Sequence, residues 1–100
     1  MNIDFSAMAE NVEEAEQLLK VLANKNRLMI LCTLLDNEMS VSELNQAVPL
    51  AQSALSQHLA SLRKANIVAT RRESQTIYYR VIDKNAVNLL STLHLLFCQE

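Results

Sequence analysis

Glycine is absent from this 100-residue chain, tryptophan is absent too, and proline occurs once, at Pro49. Without glycine there can be no Walker loop, dinucleotide fingerprint or nucleophile elbow, because each needs a residue with no Cβ for close backbone approach. Left-handed turn positions must fall to residues such as asparagine, which tolerate them better than most. Long apolar runs are missing as well: none approaches the roughly 20 residues of a bilayer-spanning helix. The acidic opening MNIDFSAMAENVEEAEQ lacks the basic-then-apolar pattern of a secretory signal. A cytoplasmic location without membrane contact is the expectation. Cysteine is scarce, with Cys32 and Cys98 too far apart for a CxxC oxidoreductase motif. In a reducing compartment such a pair is expected as buried thiols or as redox sensors, rather than as a permanent staple.

Half of the residues are apolar and a fifth are charged, the composition of a globular chain. The length suits one domain, residues 1–100, with 1–8 read as a loose arm. The net charge of −2 hides a division. The first fifty residues carry eight acidic side chains against Lys20, Lys25 and Arg27. Residues 51–80 carry Arg63, Lys64, Arg71, Arg72 and Arg80 against Glu73 alone. Phosphate contact depends on local positive charge, so this segment is a candidate nucleic-acid footprint.

Apolar spacing predicts a first helix from about Glu10 and a second, capped by Asn24, running to about Leu35 with Leu28, Leu31, Leu34 and Leu35 inward. Ser40-Val41-Ser42-Glu43 is a capping box that opens a short helix over 41–47, and Pro49 ends it. The longer helix that follows has Ala54, Leu55, Leu59 and Leu62 on one stripe. Gln52, Ser53, Ser56, Gln57 and Arg63 lie on other faces, and Asn66 stands at the left-handed position after its end. Two β-prone runs, 67–71 and 76–81, are joined through Glu73-Ser74-Gln75 as a hairpin. A last helix over 84–97 has an apolar stripe too wide for a small monomer, which predicts burial against a second copy together with the first helix.

This order is that of a winged helix-turn-helix: mainly α, with a small β-hairpin wing, dimeric through its first and last helices. Short polar side chains on the longer helix suit base edges in the major groove, and Arg71 and Arg72 suit the flanking phosphates or minor groove. The predicted DNA-contacting set is Gln52, Ser53, Ser56, Gln57, His58, Arg63, Arg71, Arg72 and Gln75, with His58 facing DNA or packing beneath it. Twofold copies would read a near-palindromic operator in double-stranded DNA.

The strings VLANKNRLMIL, SVSELNQAV, QSALSQHLASLRKANIV and TRRESQTIYY resemble the ArsR/SmtB family of bacterial repressors across about residues 12–98. Cys32 in the second helix and Cys98 at the end of the last, with SALSQHL and RRESQTIYY, resemble its thiol-based branch of BigR- and HlyU-like regulators. The resemblance implies operator binding switched off when Cys32 and Cys98 are joined by a disulfide or by added sulfur, with a reactive oxygen or sulfur species as effector. It implies no cofactor, no metal and no catalysis. Ala51 departs from the family's serine at the cap of the recognition helix, and Asn66 and Ser74 replace glycines.

Other readings stay open. Cys32, Cys98 and His94 would form a metal site if their helices converged, although the short third helix lacks the cysteine pair of thiophilic-metal sensors. A DNA-binding regulator that works independently of its thiols is a further alternative. A thiol enzyme or a scaffold that no longer binds DNA are the readings from other classes. A helix C-terminus disfavours a thiolate at Cys98, so Cys32 is expected to react first.

Overall fold

The computed structural model describes residues 4–98. Its elements run α1 (Phe5–Leu22), α2 (Lys25–Leu34), β1 (Met39–Ser40), α3 (Val41–Ala47), α4 (Gln52–Lys64), β2 (Val68–Glu73), β3 (Thr76–Val81) and α5 (Lys84–Phe97). Helices α2, α3 and α4 enclose a core of Ile30, Leu31, Leu34, Leu44, Val48, Leu55, Leu59 and Leu62, closed by Leu22 of α1, Val68 of β2 and Ala86 and Leu90 of α5.

The expected loose arm is corrected in its described part. Asp4 caps α1 by accepting the Ala7 N–H at 3.1 Å, and Phe5–Met8 are already helical. An aspartate at this point satisfies one orphan amide and favours the positive helix end, which carries α1 one turn beyond the reach of the apolar pattern. Residues 1–3 lie outside the described part.

Local chemistry accounts for the other boundaries. Asn24 accepts the N–H groups of Asn26 and Arg27 at the start of α2. Ser40 and Glu43 form the expected reciprocal capping box at the start of α3. Pro49 stops α3, and the Asn45 side-chain amide closes the turn by donating to the Leu50 carbonyl at 2.7 Å. Asn66, at φ 60°, ends α4 in a Schellman arrangement. Here the Ile67 N–H reaches the Leu62 carbonyl and the Asn66 N–H reaches that of Arg63. The wing turn uses Ser74 at φ 56°. Without glycine, a hydroxyl residue takes the left-handed position that a tight hairpin turn demands.

Ala51 leaves α4 without a side-chain cap. Its backbone already has the extended geometry of a cap residue (φ −61°, ψ 142°), so Ala51→Ser would restore an acceptor without rearrangement. We expect a gain of about 1 kcal/mol, read as a melting temperature about 4–8 °C higher. An unchanged melt would mean that water serves the free amides equally well.

The sheet differs from a plain hairpin. A third strand, β1, pairs antiparallel with β3 (Met39 opposite Tyr79, Ser40 opposite Tyr78), giving the order β1-β3-β2. Two residues, the second of them the cap of α3, are too few to carry an alternating pattern, so no strand is legible there. The pairing joins the wing directly to the start of α3.

Candidate DNA interface and thiol pair

Gln52, Ser53, Ser56 and Gln57 at the start of α4 are all exposed, as is Arg63 near its end, whereas Leu55, Leu59 and Leu62 are buried. Helical periodicity separates Ser53 and Gln57 from the buried leucines, and Gln52 is open because it lies in the first turn of the helix. The result is a row of short hydrogen-bonding side chains presented by a rigid helix.

His58 resolves toward packing beneath that face. It is half-buried, and its Nδ1 accepts from Arg27 Nε at 3.2 Å. The same guanidinium donates to Ser61 Oγ at 2.8 Å and to the Val21 carbonyl at 3.3 Å. Arg27 therefore ties the end of α1 and the start of α2 to the recognition helix. In the sequence Arg27 reads only as a charge, because its partners His58 and Ser61 lie 31 and 34 positions away.

On the wing, Arg72 and Gln75 are exposed at the tip, with Arg72 Nε donating to the Ser74 carbonyl at 3.1 Å. Arg71 is engaged elsewhere. Its Nε and Nη2 donate to Glu38 Oε1, its Nη1 donates to Glu73 Oε2 at 3.0 Å, and its guanidinium carbon lies 4.7 Å from the centre of the Tyr78 ring. The hydrogen bonds from Arg71 hold the Glu38 carboxyl below the usual carboxylate range, and the same contacts keep the guanidinium charged. Glu38 passed unnoticed in the sequence because its partner lies 33 positions away.

The thiols lie where α5 packs on α2. Both are exposed and unbridged. Of the two readings of the pair, exposure disfavours the buried one: Leu31 is fully buried and Cys32 is not. The protein around its sulfur still disfavours a thiolate. Desolvation first, and the neighbouring Cys98 second, push the Cys32 thiol above its ordinary range. The two sulfurs therefore sense each other although 66 positions separate them in the chain. Nothing activates Cys32 for first attack, so the expected order of reaction gains no support from its surroundings. Alkylation of Cys32 should reach its plateau at a higher pH than that of an ordinary thiol. Cys98→Ser should move that profile to lower pH by removing the like charge; an unmoved profile would show that the two sulfurs do not interact.

His94 is an exposed helix-surface residue, and among the described residues no three His, Cys, Asp or Glu side chains converge on a point that could hold a metal ion. No described helix is long and apolar enough to cross a membrane.

A helix-turn-helix with a polar-faced second helix, flanked by a three-stranded wing with arginines near its tip, defines a DNA-binding regulator of the winged helix class. Comparison with known proteins narrows this further. The model of the bacterial regulatory proteins of the arsR family matches residues 24–70. The transcriptional activator HlyU of Vibrio cholerae is 47% identical over 97 residues, covering 97% of this chain and 90% of that protein. The chain belongs to the arsR family. Among solved structures, reduced HlyU from Vibrio cholerae superposes with a TM-score of 0.88 at 48% identity, covering 95% of this chain and all of that one. The transcriptional repressor BigR from Xylella fastidiosa superposes with a TM-score of 0.90 at 39% identity, covering 98% and 100%. The chain is thus a transcriptional regulator of the HlyU- and BigR-like branch rather than an enzyme.

Proposed function

We propose that the protein is a homodimeric, operator-specific regulator, acting in the cytoplasm, whose DNA binding is switched off when Cys32 and Cys98 are joined. Gln52, Ser53, Ser56 and Gln57 read base edges. Arg63, Arg72 and Gln75 meet the sugar-phosphate backbone, and His58 supports the reading face from beneath. Arg71 stands behind the wing tip, its charge matched by Glu38 and Glu73.

What supports the thiol switch is that the chain's two cysteines, on α2 and at the end of α5, are both free and exposed and near enough for Cys98 to raise the Cys32 thiol. With peroxide, one sulfur attacks an oxygen, the O–O bond breaks, and a sulfenic acid and water result. The second thiol then displaces the hydroxyl as water and forms the disulfide. Two thiols have lost two electrons and two protons, and the peroxide has become two waters. With a polysulfide, the bridge keeps a donor sulfur, and the displaced fragments leave as thiols or hydropersulfides. Either bridge ties α2 to the end of α5. Arg27 links α2 to the recognition helix, so a shift there changes the spacing of two recognition helices that must match half-sites about 34–36 Å apart.

Support for the dimer comes from apolar surface. Phe5, Met8, Val12 and Leu19 of α1, and Leu95, Leu96 and Phe97 of α5, are each at least half exposed on the single chain. That is more apolar area than a soluble monomer usually leaves open. The test is a titration of a duplex selected from a randomised library by the reduced protein, repeated after peroxide and after a polysulfide. Equal affinity in all three states would refute the switch.

A further inference from the structure

The three-stranded sheet carries a clamp across one face. Arg71 on edge strand β2 stands opposite Tyr78 on central strand β3, and Ser40 on the other edge strand is Tyr78's second neighbour. Directly opposed residues share a face of a sheet. The Arg71 guanidinium passes over the Tyr78 ring and reaches Glu38, the residue just before β1, on the far edge. One side chain thereby spans all three strands. The residue two beyond Glu38 is Ser40, whose hydroxyl caps α3, so the clamp ends at the first helix of the helix-turn-helix. Glu73, at the end of β2, accepts the remaining arm of the guanidinium.

We infer that Glu38 and Arg71 are wing-positioning residues: they fix the angle of the hairpin against α3 and α4, and Arg71 is not itself a phosphate contact. Two carboxylates already offset its single charge, and a planar guanidinium stacked on an aromatic ring is held in one orientation. A residue that released those partners to reach DNA would leave Glu38 and Glu73 facing the phosphates uncompensated. Arg72, next along the strand, has no carboxylate partner among the described residues and keeps its charge for the backbone. The rival arrangement has Glu38 as an internal competitor that DNA displaces from Arg71. The two make opposite predictions for the same variant.

The inference rests on the DNA-binding reading, so the test uses the duplex selected by the reduced wild-type protein. Glu38→Gln and Arg71→Ala should each weaken binding about tenfold, the size of coupling usual within one charge network, and the double variant should be little worse than either. The slope of log affinity against log salt should stay at the wild-type value in all three. Arg72→Ala should lower that slope by about 1. Arg71→Lys, which keeps the charge but loses the fork and the stacking, should behave like Arg71→Ala. Melting curves close to wild type will show that the variants fold, since exposed ion pairs contribute little to stability. Binding by Glu38→Gln that equals or exceeds wild type, or a slope flattened by Arg71→Ala, or rescue by Arg71→Lys, overturns the inference. If the wild-type protein selects no duplex at all, the DNA-binding reading fails first and independently.

Discussion

Val12→Glu should turn the protein into a monomer in sedimentation and weaken binding to its selected duplex at least about 100-fold, the avidity lost when two linked sites become one. The argument begins with spacing. Phe5, Met8, Val12, Ala15 and Leu19 alternate steps of three and four residues along α1, which is the a/d seam of a coiled coil. On the single chain this seam faces solvent: Phe5 is 83% exposed and Val12 51%. The other side of α1 reaches the core near its end, where Leu22 is buried and Leu18 and Val21 pack against it. A glutamate at position 12 therefore costs the monomer's own packing little, yet in a paired seam it brings charge into an apolar contact beside the existing Glu13, Glu14 and Glu16. The end of α5 presents Leu95, Leu96 and Phe97 in the same condition, so Leu96→Glu should act in the same direction. A Val12→Glu protein that remains dimeric with unchanged affinity would remove α1 from the interface.

Oxidation of the wild-type protein should lower its affinity for the same duplex by a factor between about 5 and 150, the usual range for coupling between an effector site and a binding site. Cys32→Ser and Cys98→Ser should each bind like the reduced wild type and stay insensitive to peroxide. Intact mass should show the loss of two hydrogens in the oxidised wild type and no intramolecular bridge in either variant. Both serine variants should fold normally, because both sulfurs lie on exposed residues and neither fills the core. A Cys32→Ser protein that still lost its operator after peroxide would place the sensor elsewhere. Because nothing around Cys32 favours its thiolate, bridging should be faster at higher pH, and the switch should respond sluggishly near neutrality.

Much of the site is local and could be read from the chain. Residue type and helical periodicity left Gln52, Ser53, Ser56 and Gln57 exposed, because that division depends only on the residues of α4. The caps at Asn24 and Ser40, the stop at Pro49 and the left-handed Asn66 are contacts within a few positions, and each took the form its residue type demands. Asp4 followed the same rule but was overlooked, since it precedes the first strong apolar repeat. Two positions were settled by contacts outside their own helix. Cys32 sits between inward leucines by spacing, yet the packing of neighbouring helices leaves it open. His58 has the chemistry of a base-reading side chain, yet Arg27, 31 positions earlier, holds it half-buried.

The amino-acid sequence alone determined the order of helices, the exposed polar residues of α4, the basic hairpin and the presence of two thiols, because each follows from residue type, backbone preference and the spacing of apolar residues. Only the tertiary structure decided which charges are paired with one another. Arg71 and Arg72 are adjacent and chemically identical, but strand pairing turns one toward Glu38 across the sheet and leaves the other at the tip. Electrostatic partners at long separation leave no periodic trace. A guanidinium's role is set by whichever carboxylate the fold brings within hydrogen-bond reach.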